Sequence, residues 1–107
     1  MKWSVEFLDE SIELKLDSLP KDVIASFLRI VSLIELRGPQ GVHEPYVKHL
    51  DGPVWEMRLR GKDGIARAAY VTASERRVIV VHVFTKKTRK TPRREIELAL
   101  KRAKEIK

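Results

Sequence analysis

Hydrophobic and polar residues recur along the first part of the chain with two different periods. Residues 2–8, KWSVEFL, alternate with a period of two, which predicts a strand. Residues 9–18 are acidic with scattered Ile and Leu and predict a short helix or turn. Residues 20–37 carry apolar side chains at helical spacing and are followed by Gly38, so they predict a long helix. The apolar stripe of this helix is broad enough to lie across a sheet and to offer surface to a partner.

The second part of the chain predicts a loop followed by strands. Residues 38–53 are rich in Gly and Pro and predict a surface loop. Apolar segments follow at residues 55–60, 65–71 and 78–84, and the short turns between them predict an antiparallel meander. The last segment is apolar on both faces, which is typical of an interior strand.

The order of elements predicts the fold class. Thr91 is expected to cap a final helix that begins at Pro92. The resulting order is β-α-β-β-β-α, with one or two helices near the start. It predicts an α+β fold in which an antiparallel sheet, built from the N-terminal strand and the three-strand meander, packs against the helices. No break in the composition of the 107 residues suggests a second domain, so we expect one domain over residues 1–107.

The composition excludes several kinds of site. The chain has no cysteine, which excludes disulfides, thiolate metal sites and a cysteine nucleophile. Residues 1–13 become acidic early and hold no long apolar run, so we expect no secretion signal. No segment approaches the ~20 apolar residues of a membrane-spanning helix. We therefore expect a cytoplasmic protein without membrane contacts.

The net charge of +7 is concentrated in one region. Residues 1–53 hold six basic and nine acidic side chains, whereas residues 54–94 hold twelve basic and three acidic ones. Within the latter, residues 84–96, FTKKTRKTPRREI, carry six Lys or Arg side chains. A localised basic patch attracts polyanions, of which nucleic acid is the commonest. The alternative is a solvated face whose lysines serve solubility, and the concentration in one segment favours a binding surface.

The predicted strands bring cations onto one surface. If Trp55, Met57 and Leu59 face the core, Arg58 and Arg60 share the opposite face of their strand. Further cations lie on or after the next two strands, at Arg67, Lys86, Lys87, Arg89 and Lys90. Guanidinium and ammonium groups on a concave sheet surface suit phosphates. The alternative is that Arg58 and Arg60 are merely the solvated side of the sheet, but neighbouring like charges there are unfavourable without a neutralising ligand.

Other candidate residues carry weaker signals. The spacing of His43, His49 and His82 matches no zinc pattern, so we expect no metal site. His82 lies in an apolar strand, which favours a hydrogen-bonded core histidine over a catalytic one. Tyr70 is equally suited to stacking on a base or to packing in the core. No Ser-His-Asp arrangement is legible.

One reaction suits many cations and few conventional acid/base residues. It is RNA cleavage by attack of a 2′-hydroxyl on the adjacent phosphate. A lysine whose pKa is lowered by neighbouring cations can take the hydroxyl proton. Arginines stabilise the charge that develops on the phosphorane. This chemistry requires no cofactor.

The second half of the chain also resembles a known superfamily. Its motif is K-x-L, W-E-x-R and G-I-x-R-x-x-Y, followed by H-x-F-x-K-K-T-x-K-T-P-x-x-E-I, within residues 46–106. This pattern resembles the RelE/ParE toxin superfamily, and most closely its phage-derived HigB-like branch. The resemblance implies a RelE-like fold and a toxin of a type II toxin–antitoxin system. Such toxins are ribosome-dependent endoribonucleases that cut mRNA in the A site of the 30S subunit.

The resemblance also assigns roles to residues. Arg58 and Arg67 match basic active-site positions, and Lys87 lies where a catalytic arginine is common. Lys86 joins them as a catalytic candidate, and Lys87 and Lys86 are the candidates for the general base, with His82 and Tyr70 in reserve. The residues expected to bind RNA are Arg60, Lys90, Arg89, Lys48, Tyr70 and His82. The chain departs from the family pattern at Glu56, where a basic residue is usual, and it has no tyrosine after the final strand.

The resemblance implies a partner and leaves two alternatives. A cognate antitoxin, a HigA-like helix-turn-helix protein, is expected to bind the toxin in a hetero-oligomer. Its docking surface is either the acidic N-terminal half with the long helix or the basic sheet. The first alternative is a ParE-like inhibitor of DNA gyrase on the same fold. The second is a non-catalytic RNA-binding module.

Overall fold

A computed structural model of the chain describes residues 2–86 and 88–106. The strands are β1 (Ser4–Phe7), β2 (Val47–Asp51), β3 (Val54–Gly61), β4 (Gly64–Ala73) and β5 (Arg77–Lys86). The helices are α1 (Glu10–Asp17), α2 (Lys21–Arg37) and α3 (Arg93–Ala103), and a single 3-10 turn spans Pro39–Gly41. Within the described ranges, no helix is long and apolar enough to cross a membrane.

The strands form one five-stranded sheet in the order β1-β5-β4-β3-β2. Strands β3, β4 and β5 pair antiparallel as the predicted meander, and the predicted α+β class is confirmed. Strand β1 pairs with β5 in parallel, so the sheet is mixed rather than wholly antiparallel. A parallel neighbour needs a crossover connection, and the long helical and sheet segments between β1 and β5 supply it.

Strand β2 corrects the prediction of a loop over residues 38–53. Its five residues pair antiparallel with β3, and the register shifts between His49 and Asp51. The strand is short, lies at the sheet edge and is flanked by Gly and Pro, so its own sequence gives little periodic signal. Pairing with β3 supplies the backbone hydrogen bonds that local sequence does not predict.

Two apolar layers hold the sheet between its helices. On one face, α2 buries Val23, Phe27, Ile30 and Ile34 against Met57 and other residues of the sheet. On the other face, Ala99 of α3 packs on a smaller cluster that includes Val54, Val71 and Val81. Alternation along β3 places Glu56, Arg58 and Arg60 on the same face as Val54. The apolar layer beneath α3 therefore gives way to charged residues toward the end of β3.

Two expectations about single side chains are corrected. Trp55 is 40% exposed rather than buried like Met57 and Leu59. Its position lies beyond the helical cover of α2, where Trp55 lines a hollow of about 850 Å³ with Trp3 and Val42. Thr91 does not cap α3, because no side-chain cap bond occurs at that helix start and its hydroxyl is bonded elsewhere.

The end of β3 packs very closely on the first turns of α2. The backbone N–H of Lys62 donates to Asp22 Oδ2 at 2.6 Å, and that of Arg60 donates to Ser26 Oγ at 3.1 Å. A Cβ atom on Gly61 would lie 2.5 Å from Val23 Cγ2. Glycine at this position therefore permits the contact between strand and helix.

We predict that Gly61→Ala destabilises the protein by about 1–3 kcal/mol, because the added methyl overlaps Val23 and Asp22. Gly64→Ala is the matched control, since Gly64 pairs with Gly61 in the sheet and has open space around its Cβ position. Urea unfolding of both variants measures the difference. Equal free energies of unfolding for the two variants would show that the close contact is absent in solution.

Candidate active site and nucleic-acid interface

Sheet register brings the predicted cations of three strands together. Arg58 of β3 lies directly opposite Arg67 of β4. Lys86 of β5 is paired with Ile65, two residues before Arg67 on β4. Residues two apart on a strand share a face, so the three cations occupy one side of the sheet. Arg58, Arg67 and Lys86 therefore lie on a common surface, as expected from their positions on the predicted strands.

A buried carboxylate lies among these cations. Glu56 is 1% exposed, and its Oε2 lies 3.6 Å from Arg67 Nε and 4.0 Å from Arg58 Nε. Its Oε1 accepts a hydrogen bond of 2.7 Å from the Thr91 hydroxyl. We call Glu56, Arg58, Arg67, Lys86 and Thr91 the Glu56 cluster. One carboxylate partly neutralises three cations, which leaves the cluster with a positive charge.

Thr91 connects the basic segment after β5 to the sheet. Lys86 Nζ donates to Thr91 Oγ1 at 3.2 Å and also to the backbone oxygen of Arg89. The Thr91 hydroxyl therefore accepts from Lys86 and donates to Glu56. These contacts hold residues 88–91 beside the cluster, which explains why Thr91 is 5% exposed although Thr88, Arg89 and Lys90 are exposed.

The two guanidinium groups retain donor capacity. Arg67 Nη1 donates to the Ala66 backbone oxygen at 2.9 Å. Among the described residues, however, the buried Nε groups of Arg58 and Arg67 have no hydrogen-bond partner. Their separations from Glu56 are those of ion pairs rather than hydrogen bonds. These two Nε–H groups are inaccessible to solvent, so a phosphoryl oxygen would have to be bound by the terminal nitrogens of Arg58, whose side chain is 20% exposed.

Burial and like charge shift the acid–base properties of the cluster. Burial lowers the pKa of Lys86, and the nearby charges of Arg67, Arg58 and Lys48 lower it further, while Glu56 opposes the shift. Burial also lowers the pKa of Arg67, with smaller contributions from Arg58 and Arg60 against the opposing effect of Glu56. Lys86 consequently releases its proton more readily than an exposed lysine does.

The remaining predicted cations surround the cluster. Arg60, Arg89 and Lys90 are exposed, and Lys48 is exposed on β2 opposite Glu56. Lys87, a predicted catalytic residue, lies outside the described residues. No group of three or more metal-ligating side chains occurs in the part of the chain that is described.

Two residues that were predicted to contact RNA, Tyr70 and His82, are instead buried in the core. Tyr70 is 2% exposed and packs in the layer beneath α2, on the opposite face from Arg67. His82 is 5% exposed, and its ring stacks on Phe84. Neither ring is accessible to a base, because strand alternation places Tyr70 inward and α3 covers His82.

His82 is held by two charged residues of α3. Arg102 Nη1 lies 3.2 Å from Nδ1, and Glu95 Oε1 lies 3.0 Å from Nε2. Because a guanidinium can only donate, Nδ1 accepts and Nε2 carries the proton that is donated to Glu95. Burial lowers the pKa of His82, with smaller lowering by Arg102 and Lys15, whereas the bond to Glu95 opposes the shift.

Two members of the Glu56 cluster, Glu56 and Thr91, have roles that the sequence did not predict. The sequence distinguishes Glu56 only as an acidic residue at a position where the superfamily usually has a basic one. A carboxylate two residues from Arg58 on a predicted strand is a signal for a same-face ion pair. Thr91 resembled a helix cap, and no local pattern indicated its bond to a residue 35 positions away.

This architecture belongs to a known class of fold. A solved structure described as the archaeal RelE-RelB complex from Pyrococcus horikoshii OT3 matches with a TM-score of 0.58 and 21% sequence identity. The match covers 79% of this chain and 96% of that one, so the fold is RelE-like. Residues 15–104 match the model of the family Phage derived protein Gp49-like, and the chain belongs to that family. No curated protein sequence matches significantly. The expected RelE-like fold and the resemblance to a phage-derived family are thereby confirmed.

We predict that Glu56→Gln destabilises the protein by about 3–5 kcal/mol, because it leaves the buried Arg67 without an opposing charge. Glu6→Gln is the matched control, since Glu6 pairs with Arg77 at the surface and such pairs contribute about 0–1 kcal/mol. Denaturant unfolding at neutral pH compares the two. A loss at Glu56 no greater than that at Glu6 would contradict the structural role of the carboxylate.

We predict that His82 makes stability depend on pH. In the unfolded chain it protonates with an ordinary pKa of 6.5, whereas the folded protein protonates only at lower pH. The stabilisation is therefore complete above pH 6.5 and is lost as pH falls through the lowered folded pKa. Between about pH 7.5 and about pH 5.5, wild type should lose up to about 1 kcal/mol more than His82→Gln. If the free energies of unfolding of wild type and His82→Gln change equally with pH, His82 is not the source of the pH dependence.

Proposed function

We propose that the protein is the toxin of a type II toxin–antitoxin system and that it cuts mRNA on the ribosome. The convergence of Arg58, Arg67 and Lys86 around a single carboxylate carries this proposal. The guanidinium of Arg58, whose side chain is 20% exposed, is suited to phosphoryl oxygens. Membership of the Gp49-like family and the RelE-like fold support the same class of function.

The proposed reaction is a transesterification within the RNA. The 2′-oxygen forms a bond to the adjacent phosphorus, and the bond from phosphorus to the 5′-oxygen breaks. The products are a 2′,3′-cyclic phosphate and a 5′-hydroxyl. Arg58 and Arg67 bind the non-bridging oxygens, where negative charge increases as the phosphorane forms.

Proton transfer in this reaction is assigned to lysine. A base must take the proton of the 2′-hydroxyl, and an acid must protonate the departing 5′-oxygen. The lowered pKa of Lys86 supports a role for it in one of these steps. Its hydrogen bonds to Thr91 and Arg89 also give it a positioning role for the basic segment. Lys87, the next residue, is the second candidate.

The proposed partners follow from this function. The substrate is mRNA in the A site of the 30S subunit, which assigns the protein to the cytoplasm. A free nuclease of this kind would be harmful, so we propose a cognate antitoxin of the HigA-like helix-turn-helix type. The solved RelE-like structure is itself a complex with RelB, which supports an antitoxin for this chain.

We expect Arg67→Gln and Lys87→Ala each to lower mRNA cleavage about 100-fold or more, because each removes a cation from the transition state. Lys104→Ala, an exposed change at the end of α3, is the control for net charge. Mapping of RNA 5′ ends after induction, together with growth curves, measures the effect. Thermal unfolding must first establish that Arg67→Gln is folded, since Arg67 is buried.

The same experiment separates the alternatives. Folded variants that remain fully toxic and still cut mRNA would overturn the assignment of the site. Growth arrest with intact messages and induced DNA damage would instead identify a gyrase inhibitor. Salt-dependent RNA binding without fragments, in the presence of ribosomes and message, would identify a non-catalytic module.

A further inference from the structure

A second basic hollow lies next to the Glu56 cluster. It has a volume of about 450 Å³ and lies between the first half of α2 and the end of β3. Four cationic side chains line it: Arg29, Arg58, Arg60 and Lys62. Asp22 is the acidic residue among its described lining, and one of its carboxylate oxygens already accepts the backbone N–H of Lys62. The hollow therefore keeps a strong positive charge.

Close packing of strand on helix creates this concentration of charge. Gly61 allows the end of β3 to approach Val23 and Asp22. The bond from the Arg60 N–H to Ser26 Oγ fixes the register between β3 and α2. This approach brings the cations of the strand end beside Arg29, which is distant in sequence. Like charges held together in this way are unfavourable without an anionic ligand.

An exposed aromatic ring lines the same hollow. Tyr46 is 40% exposed. Its backbone oxygen accepts a hydrogen bond of 2.8 Å from the Arg58 N–H, and its N–H donates to His43 oxygen at 3.0 Å. The backbone that carries the ring is therefore anchored to β3. Cations beside an accessible aromatic face are the combination that binds single-stranded nucleic acid, since bases stack on the ring while cations contact phosphates.

Arg58 connects this hollow to the Glu56 cluster. It lines the hollow, and its Nε lies near Glu56. A ligand with charges at regular intervals along its length can therefore contact both regions at once. An acidic protein segment would normally rely on apolar anchors in a largely uncharged centre, and the cationic lining here does not provide such a centre.

We propose that this hollow is a second RNA-binding subsite, in which Tyr46 stacks on a base flanking the cleaved nucleotide and Arg29, Arg60 and Lys62 contact its phosphates. The inference rests on the proposed function, because it takes RNA as the substrate. It adds Arg29, Tyr46 and Lys62, none of which is a specified position of the superfamily motif.

The test measures binding of the full chain to 2′-O-methylated single-stranded RNA, which cannot undergo attack by a 2′-hydroxyl. Fluorescence anisotropy over a range of salt concentrations gives the affinity and its salt dependence. The double variant Arg29→Ala/Lys62→Ala should bind about tenfold more weakly, and the slope of log affinity against log salt should fall by about 1.4. The double variant Lys101→Ala/Lys104→Ala removes the same charge from exposed positions at the C-terminal end of α3 and should bind like wild type.

The aromatic contact is tested separately. Tyr46→Leu should weaken binding about tenfold at every salt concentration, because it removes a stacking surface without changing charge. Tyr46→Phe keeps the ring and should bind like wild type. Equal weakening by both substitutions, or by neither, would overturn stacking on this residue.

The outcomes distinguish this inference from the proposed function. If wild type binds the RNA but the Arg29/Lys62 variant binds as tightly as the Lys101/Lys104 control, the subsite is refuted and the proposed nuclease function stands. If wild type shows no salt-dependent binding to RNA, the subsite is refuted, whereas the proposed function is judged separately by mapping RNA 5′ ends after induction. If the hollow variant loses affinity for polyglutamate and not for RNA, the surface binds acidic protein segments and the inference is wrong.

Discussion

The ion pairs of the buried Glu56 carboxylate are the interaction on which the basic side of this molecule depends. Arg58 and Arg67 lie directly opposite one another on adjacent strands, where like charges repel. Glu56 provides the opposing charge within 3.6–4.0 Å of both side chains. Because one carboxylate faces several cations, it stabilises their arrangement without cancelling their charge. The same group that allows the site to fold thus leaves it able to attract an anion.

The positions of the helices on the sheet determine where the charged residues of the site are left uncovered. Helix α3 packs on the apolar part of one sheet face and leaves the end of β3 to polar residues. Thr91, just before α3, bonds to Glu56 and brings the basic segment after β5 over that end. On the α2 side, Gly61 lets the same strand end approach the helix. The two basic regions are therefore neighbours because Arg58 of β3 belongs to both.

Sequence patterns predicted the regular elements well and the polar contacts poorly. Alternation along β3 to β5 predicted the meander, and the resemblance to RelE/ParE toxins agreed with the RelE-like fold. The short edge strand β2 was missed because five residues between Gly and Pro carry little periodicity. Tyr70 and His82 fit the motif as RNA contacts, but burial on the sheet removes both from the surface. A motif specifies the type and spacing of residues, whereas the exposure of each residue depends on what packs above it.

The order of residues was enough to show the periods of β1, β3, β4, β5 and the long helix α2, the absence of cysteine and the concentration of cations after residue 53. These properties are local or are simple counts, so no knowledge of distant contacts is needed. Folding, in contrast, is needed to bring Arg67 and Thr91 to Glu56 and to bring Arg29 beside the end of β3. Such contacts depend on strand register and helix packing. Both bring together residues that are far apart in the chain, so a local pattern cannot predict them.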